Sequence, residues 1–394
     1  MFDTLYGDGI HDDTLAIQEL IDSGCCEISL PAPKVCYLIS APLELPSNFK
    51  LKLPRFAHIK LAKGSNCVML KNKTVDDPKD RTDRKCWDHI NQWSPDYPCE
   101  NIEVEGGIWD LNNLEQNKNP LLTGVYEPKG YNGFIFLFYN VKNLRISSLT
   151  LKDPITFAVT LDTVSYFTVD NIVFDFNYGN PLATNMDGIH IDGNCHFGTL
   201  TNLKGACYDD LVALNADEGS QGPISNITIN GIYAEDCHSA VRMLSAGSPV
   251  TNIHISDVYG TYFQYCIGLT KYYQLGKTGY YDAITLDNIY ASKANWIPEY
   301  NKEPDSYMYP LIWIEWDLHI KSLKVSNLHR VEYKNPISTL FVGHDTVIDR
   351  LILDNISVEN HTEADTIPFL VNEGLINYFD AINLFNDGEE LTEI

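Results

Sequence analysis

One short phrase recurs along this chain and constrains its fold more than anything else: apolar, any, apolar, any, small or Asn/Asp, apolar. It reads Leu144-Arg-Ile-Ser-Ser-Leu149, Phe167-Thr-Val-Asp-Asn-Ile172 and Gly198-Thr-Leu-Thr-Asn-Leu203. It continues as Ile227-Thr-Ile-Asn-Gly-Ile232, Ile253-His-Ile-Ser-Asp-Val258, Ile284-Thr-Leu-Asp-Asn-Ile289, Leu323-Lys-Val-Ser-Asn-Leu328 and Leu351-Ile-Leu-Asp-Asn-Ile356, with a looser copy at Ile102-Glu-Val-Glu-Gly-Gly-Ile108. Successive copies from Leu144 start 23 to 39 residues apart. Alternation with period two marks each as a strand with one buried face, and the Asn/Asp/Gly step marks a bend after it. One such coil cannot bury its own inner face. Stacked coils can, at about 4.8 Å between neighbouring strands. The expected fold is all-β, a single-stranded right-handed parallel β-helix (solenoid) with an N-terminal capping helix. An ordinary β-sandwich would require eight aligned copies to be coincidence.

Length alone, 394 residues, suggests two or three domains; the repeat predicts one β-helix domain over 1–394. Residues 1–30 are expected to form the N-terminal cap, about 31–360 the coils, and 361–394, where the repeat fades and acidity rises, a C-terminal cap. The helix is expected in Asp12-Asp13-Thr-Leu-Ala-Ile-Gln-Glu-Leu-Ile-Asp-Ser-Gly24, with Leu15, Ile17, Leu20 and Ile21 as its apolar residues and Gly24 as its stop. Loop excursions are expected over 72–100 and 292–312, the second rich in aromatics such as Trp296, Tyr300, Tyr307 and Tyr309.

Composition excludes several classes. Hydrophobic residues at 44% and charged residues at 21% argue against a disordered chain. With 53 acidic and 28 basic residues the formal charge is −25, and no basic cluster offers a site for nucleic acid. The same charge opposes long-range attraction of a polyanion. Apolar runs such as 134–138 are too short to cross a bilayer. No basic-then-apolar leader is seen in the opening residues, yet extracellular action is the expectation. The ten cysteines include no CxxC pair, so no zinc site, metal or cofactor is expected. Cys207, Cys237 and Cys266 are expected as a buried stack rather than disulfides.

On a solenoid the outward positions of adjacent coils are free for chemistry. Three carboxylates meet that condition: Asp187, and Asp209 with Asp210 one short coil later. Consecutive strand residues point to opposite faces, so Asp209 and Asp210 share a cleft only where a turn or strand start falls between them. Clustered carboxylates push their pKa values apart, which suits a general acid beside a general base. The same residues serve equally as turn formers or as oxygen ligands of a cation such as calcium. The following coils carry His238, Arg242 and Lys271. Aligned on the cysteines, Val212, Arg242 and Lys271 form one column, a candidate substrate-binding patch or, equally, surface salt bridges. Tyr307, Tyr309, Trp313 and Trp316 are candidate sugar-binding rings or core, and Glu315 and Asp317 are further acidic candidates without a role.

These motifs, in order and spacing over roughly residues 5–360, resemble glycoside hydrolase family 28, the polygalacturonases of the pectin lyase-like β-helix superfamily. Gly7-Asp-Gly-Ile-His-Asp-Asp-Thr-Leu-Ala-Ile-Gln18 is similar to the superfamily's N-terminal cap motif, and Gly106-Gly-Ile-Trp-Asp110 to the family's G-G-x-I-D-G. Asp153-Pro-Ile-Thr-Phe-Ala-Val159 stands where the family has S-P-x-W-x-x-H. Asn185-Met-Asp-Gly188 resembles N-T-D-G, and Asp209-Asp-Leu-Val-Ala-Leu214 resembles D-D-C-I-A-I. The resemblance implies an inverting hydrolase with Asp209 as general acid and with Asp187 and Asp210 activating water. It departs at two places. Cys237-His-Ser239 stands for the family's G-H-G, which makes His238 the nearest match to its histidine. The family's R-I-K is broken: Lys271 matches the lysine, but Leu269 stands at the arginine unless Arg242 substitutes from the neighbouring coil. Those cations hold the galacturonate carboxylate in the family, so unsubstituted polygalacturonate is the weaker substrate expectation.

The expected function is cleavage of a pectin-type or related polysaccharide by a hydrolase, with Asp187, Asp209 and Asp210 catalytic and His238, Arg242, Lys271 and Tyr309 binding substrate. The alternatives are a polysaccharide lyase on the same fold, or a non-catalytic glycan-binding module of tail-spike type. The expected partner is a polysaccharide or oligosaccharide, with no nucleic acid and no membrane.

Overall fold

The computed structural model describes residues 5–73, 99–123, 132–272, 276–295 and 309–391. The fold is a right-handed parallel β-helix whose strands run in parallel ladders. Two compact units are distinguished: Met1–Gly198 with Glu218–Gln221, and Thr199–Asp217 with Gly222–Ile394.

In the first unit the recurring phrase stacks in register: Phe49 faces Ile102, Ile102 faces Leu144, and Leu144 faces Phe167. The looser copy at Ile102 is therefore a full member of the stack, and Phe49-Lys-Leu51 extends it upstream. The helix covers Thr14–Ile21 and buries Thr14, Ile17, Leu20 and Ile21. Leu15 is instead 77% exposed, because two residues along a helix turn a side chain to the far side. Just ahead of the helix the Asp12 carboxylate accepts the Thr14 N–H at 2.9 Å, an Asx turn that leads the chain into it. Gln18 then docks it on the strand Leu43–Leu45, donating to the Glu44 carbonyl at 3.1 Å and accepting the Glu44 N–H at 2.9 Å. The helix thereby satisfies backbone groups that a bare strand would leave unpaired.

In the second unit the stack runs Ile227, Ile253, Ile284, Leu323 and Leu351, each facing the next. It goes one coil further than expected: Leu351 faces Phe379 in the parallel strand Leu375–Asn386, so the repeat does not end near residue 360. Phe379-Asp-Ala-Ile-Asn-Leu384 is a further copy, disguised by an alanine at an inward position. The antiparallel pairing of Glu389–Glu390 with that strand closes the described chain.

The bends have one cause. The fifth residue of the phrase lies in the left-handed region at Ser148 (57°), Asn171 (55°), Asn288 (52°), Asn327 (52°) and Asn355 (54°). Asparagine tolerates this conformation best among residues with a Cβ, and its side chain bonds to the preceding coil: Asn355 Nδ2 donates to Asn327 Oδ1 at 2.7 Å. The expected excursions fall mostly outside the described residues, between the strands Leu70–Asn72 and Cys99–Glu105 and between Gly279–Lys293 and Ile312–Ile314. Trp296, Tyr300 and Tyr307 lie outside them as well. Among the described residues no helix is long and apolar enough to cross a membrane.

Candidate active site

In the second unit, a strand begins at Asp210, with Asp209 in the bend before it. The condition for two consecutive aspartates to act at one place is thus met. Their environments differ sharply. The Asp209 side chain keeps 24% of its surface exposed, whereas Asp210 has none. Arg242 Nε lies 2.8 Å from Asp210 Oδ2, and the Ser239 hydroxyl donates to Asp210 Oδ1. Burial pushes the Asp210 carboxyl up, Arg242 pulls it down, and Asp209 adds to the rise.

His238 Nδ1 stands 3.6 Å from Asp209 Oδ1 and 3.9 Å from Asp210 Oδ1. These separations suggest ion pairs, but His238 is pushed down to about 4. Burial is the largest cause, opposed by Asp210 and reinforced by Arg242 and Lys293. The imidazole is therefore neutral near pH 7, and its contact with the carboxylates is polar rather than ionic. Ligand atoms of Asp209, Asp210 and His238 lie within 4.8 Å of one another, three donors that could contribute to holding a cation. Arg242 already neutralises Asp210, so any metal would compete with a fixed guanidinium.

The cysteine-based column does not survive. Arg242 faces Ala213 on one side and Gly268 on the other, not Val212 and Lys271. Cys237 ends its strand and pairs with Tyr262, while Cys266 precedes the strand Ile267–Thr270, so equal counts from the two cysteines reach different columns. All three cysteines are buried, and Cys237 Sγ contacts the Cys207 backbone N–H at 3.2 Å. Lys271 is held elsewhere: its ammonium pairs with Asp317 and lies 4.9 Å from the Trp316 ring centroid. Its backbone N–H donates to Glu315 Oε2 at 2.6 Å, which gives the unassigned Glu315 and Asp317 a role in holding this segment.

Tyr309 packs edge-on against Trp313 at 4.6 Å and against Tyr265 at 5.9 Å. Tyr265 in turn meets His238 at 6.3 Å.

Asp187 belongs to the first unit, 1% exposed, in a cluster that sequence reasoning missed. His190 Nδ1 lies 2.6 Å from Asp187 Oδ2, and its Nε2 lies 3.2 Å from Asp192 Oδ1 and 3.4 Å from Glu218 Oε2. Phe157 stacks on the imidazole at 3.8 Å. Burial pulls His190 down, but Asp192 and Asp187 outweigh it and push it up to about 10. The ring is an imidazolium across the neutral range, a fixed positive charge against Asp187. The signal was present in Ile189-His-Ile-Asp192, where two polar residues alternate with isoleucines and share a face. Glu218 carried no such signal. It arrives with Gly219, whose φ of +56° and lack of a Cβ admit Asp192 Cγ to 2.3 Å of the Cβ position.

Glycosyl hydrolases family 28 matches residues 45–293. Among solved structures, the chain is similar to a family 28 exopolygalacturonase of Yersinia enterocolitica, with 14% identity over 98% of this chain and 78% of that one and a TM-score of 0.57. It is similar to PfbA, a surface adhesin of Streptococcus pneumoniae, with 16% identity over 99% and 94% of the two chains and a TM-score of 0.54. It is also similar to a double-mutant tailspike protein of E. coli bacteriophage HK620 in complex with pentasaccharide: 11% identity, 96% and 63% coverage, TM-score 0.69. At these identities the likeness shows the fold. No curated protein matches the sequence.

Proposed function

Since the chain belongs to glycosyl hydrolases family 28, we propose that it is a glycosidase cleaving a pectin-type or related polysaccharide by an inverting acid/base mechanism. One observation carries this: two consecutive aspartates in unlike environments, Asp209 reachable from solvent and Asp210 enclosed against Arg242. An acid must touch the departing glycosidic oxygen, and only the exposed carboxyl of the pair is open to it. On this proposal Asp209 protonates the leaving oxygen. Asp210, paired with Arg242, takes a proton from the attacking water, a role that the sequence resemblance also implies for Asp187. The assignment of Asp187 rests on the sequence resemblance alone. Neutral His238 beside Asp209 polarises without competing for its proton.

Arg242 is the basic residue nearest this pair and is already engaged, and Lys271 is engaged with Asp317. That supports a substrate other than unsubstituted polygalacturonate. Since such polysaccharides lie outside cells, extracellular action follows.

The test is a screen of plant and bacterial polysaccharides with reducing-end detection, comparing wild type with Asp209→Asn and Asp187→Asn. Equal cleavage by wild type and Asp209→Asn would remove the acid assignment. An unsaturated, ultraviolet-absorbing product would replace hydrolysis by a lyase reaction. Likeness to a surface adhesin and to a tailspike holding a pentasaccharide supports a second reading, glycan binding without cleavage, and wild type that binds but never cleaves would select it.

A further inference from the structure

The corrected register shows a continuous outward column in the second unit. Arg242 faces Gly268, Gly268 faces Trp313, Trp313 faces Phe341, and Phe341 faces Val371. At about 4.8 Å per strand, Trp313 stands roughly 10 Å along the sheet from Arg242. Gly268 is the step between them because Tyr265 lies over it: a Cβ there would come within 2.6 Å of Tyr265 Cε2. Beyond Tyr265 the column opens into a cavity of about 620 Å³. That volume falls within the roughly 300–1,000 Å³ of small-molecule sites. Its lining includes Trp313, Phe341 and Val371 from the column, with Tyr309, Pro336 and Pro368 among its walls. Ser338 is the one polar side chain besides the Tyr309 and Trp313 ring heteroatoms, and no charged residue lines it among the described residues.

The wall is anchored. Lys293 Nζ donates to the Tyr309 carbonyl at 3.0 Å, to the Phe263 carbonyl at 3.3 Å and to the Gln264 carbonyl. A buried lysine tied to three backbone oxygens fixes Tyr309 to the same segment that carries Tyr265.

We propose that this cavity is a binding subsite for an uncharged glycosyl unit of the substrate, one presenting an apolar face or substituent such as a methyl ester, an acetyl group or a deoxy methyl. It rests on the glycan-cleaving function proposed above. Rings supply flat apolar area at little entropic cost, and Ser338 supplies a hydroxyl partner. A free uronate carboxylate would lose its hydration there with no cation to receive it. The net charge of −25 opposes it further. The column gives the direction: a chain lying along it joins this subsite to the Asp209, Asp210 and Arg242 group.

The experiment uses the full chain carrying Asp209→Asn, so that binding is read without turnover. Two probe sets are titrated by calorimetry and tryptophan fluorescence. One holds methyl-esterified oligogalacturonides and neutral galactan oligosaccharides; the other holds the same oligogalacturonides de-esterified. A neutral probe is expected to bind more tightly than its charged counterpart. Trp313→Ala is expected to weaken it roughly tenfold or more, with Phe341→Ala acting in the same direction and Trp313→Phe restoring most of the affinity. No binding by any neutral probe, equal binding of charged and neutral forms, or unchanged affinity in both alanine variants overturns the proposal. The two proposals fail separately. Neutral probes that bind through Trp313 while wild type cleaves nothing keep the subsite and sink the hydrolase. Cleavage by wild type whose KM is indifferent to Trp313→Ala does the reverse.

Discussion

The guanidinium of Arg242 reaches Asp210 at 2.8 Å, and Asp210 has no exposed surface. A buried carboxylate needs its partner, because the alternative is an uncompensated charge in a poorly solvated place. Arg242→Met is therefore expected to destabilise the protein by about 3–5 kcal/mol in urea denaturation. Adding Asp210→Asn to it should recover part of that loss. If the single variant unfolds at the wild-type midpoint, the pair is not structurally coupled as described.

Asp209 is the solvent-reachable member of the pair, with 24% of its side chain exposed. Asp209→Asn is expected to lower kcat by roughly 10²–10⁴-fold while changing stability by no more than about 0.5 kcal/mol. Reducing-end kinetics and thermal melting check the two halves independently.

His238 and His190 titrate in opposite senses. His238 is held down to about 4 by burial, so it favours folding above its ordinary value of about 6.5 and that contribution is lost as pH falls toward 4. His190 is pushed up to about 10 by Asp192 and Asp187 against its burial. Its contribution is whole below about 6.5 and is lost as pH rises through about 10. Each unit of separation corresponds to about 1.4 kcal/mol. Denaturation midpoints should thus decline on both sides, with His238→Asn flattening the acid limb and His190→Asn the alkaline limb. A variant whose slope matches wild type on its own limb contradicts the assignment.

Gly219→Ala meets two obstacles. Its φ is +56°, and the new Cβ would lie 2.3 Å from Asp192 Cγ and 2.7 Å from Asp162 Oδ2. The backbone cost alone is about 1–3 kcal/mol. Chemical denaturation should show at least that loss, and proteolysis near residue 219 should quicken.

Cys25 and Cys26 are exposed, while Cys195, Cys207, Cys237 and Cys266 have no exposed surface. Native protein treated with iodoacetamide should carry label on the first two and gain it on the other four only after unfolding, as mass mapping would show. Native labelling of Cys237 would mean that its coil opens.

The repeat was readable because burial imposes a local rule. A strand that packs on one face must alternate, and a tight bend must use a residue that tolerates left-handed dihedrals. Both rules leave marks in six consecutive residues, as in Ile284-Thr-Leu-Asp-Asn-Ile289. The parallel fold, the capping helix and the need for a strand start between Asp209 and Asp210 follow from such marks, whereas the unlike burial of the two aspartates does not. The copy at Phe379 escaped because Ala381 is a weak apolar signal.

Contacts between coils obey no local rule. The column from Arg242 through Gly268 to Trp313 depends on how many residues each corner consumes, and the corners before Ser239 and before Ile267 differ. His190 finds Glu218 twenty-eight positions away, and Lys271 finds Asp317 forty-six positions away, through loops whose length carries no period. Sequence by itself determined the strand phrase, the bend and the stacking direction, because each is settled by the hydrogen-bonding and steric needs of adjacent residues. Which cation meets which carboxylate, and which rings share a cavity, was decided only in the tertiary structure, because register between coils sums every insertion along the way.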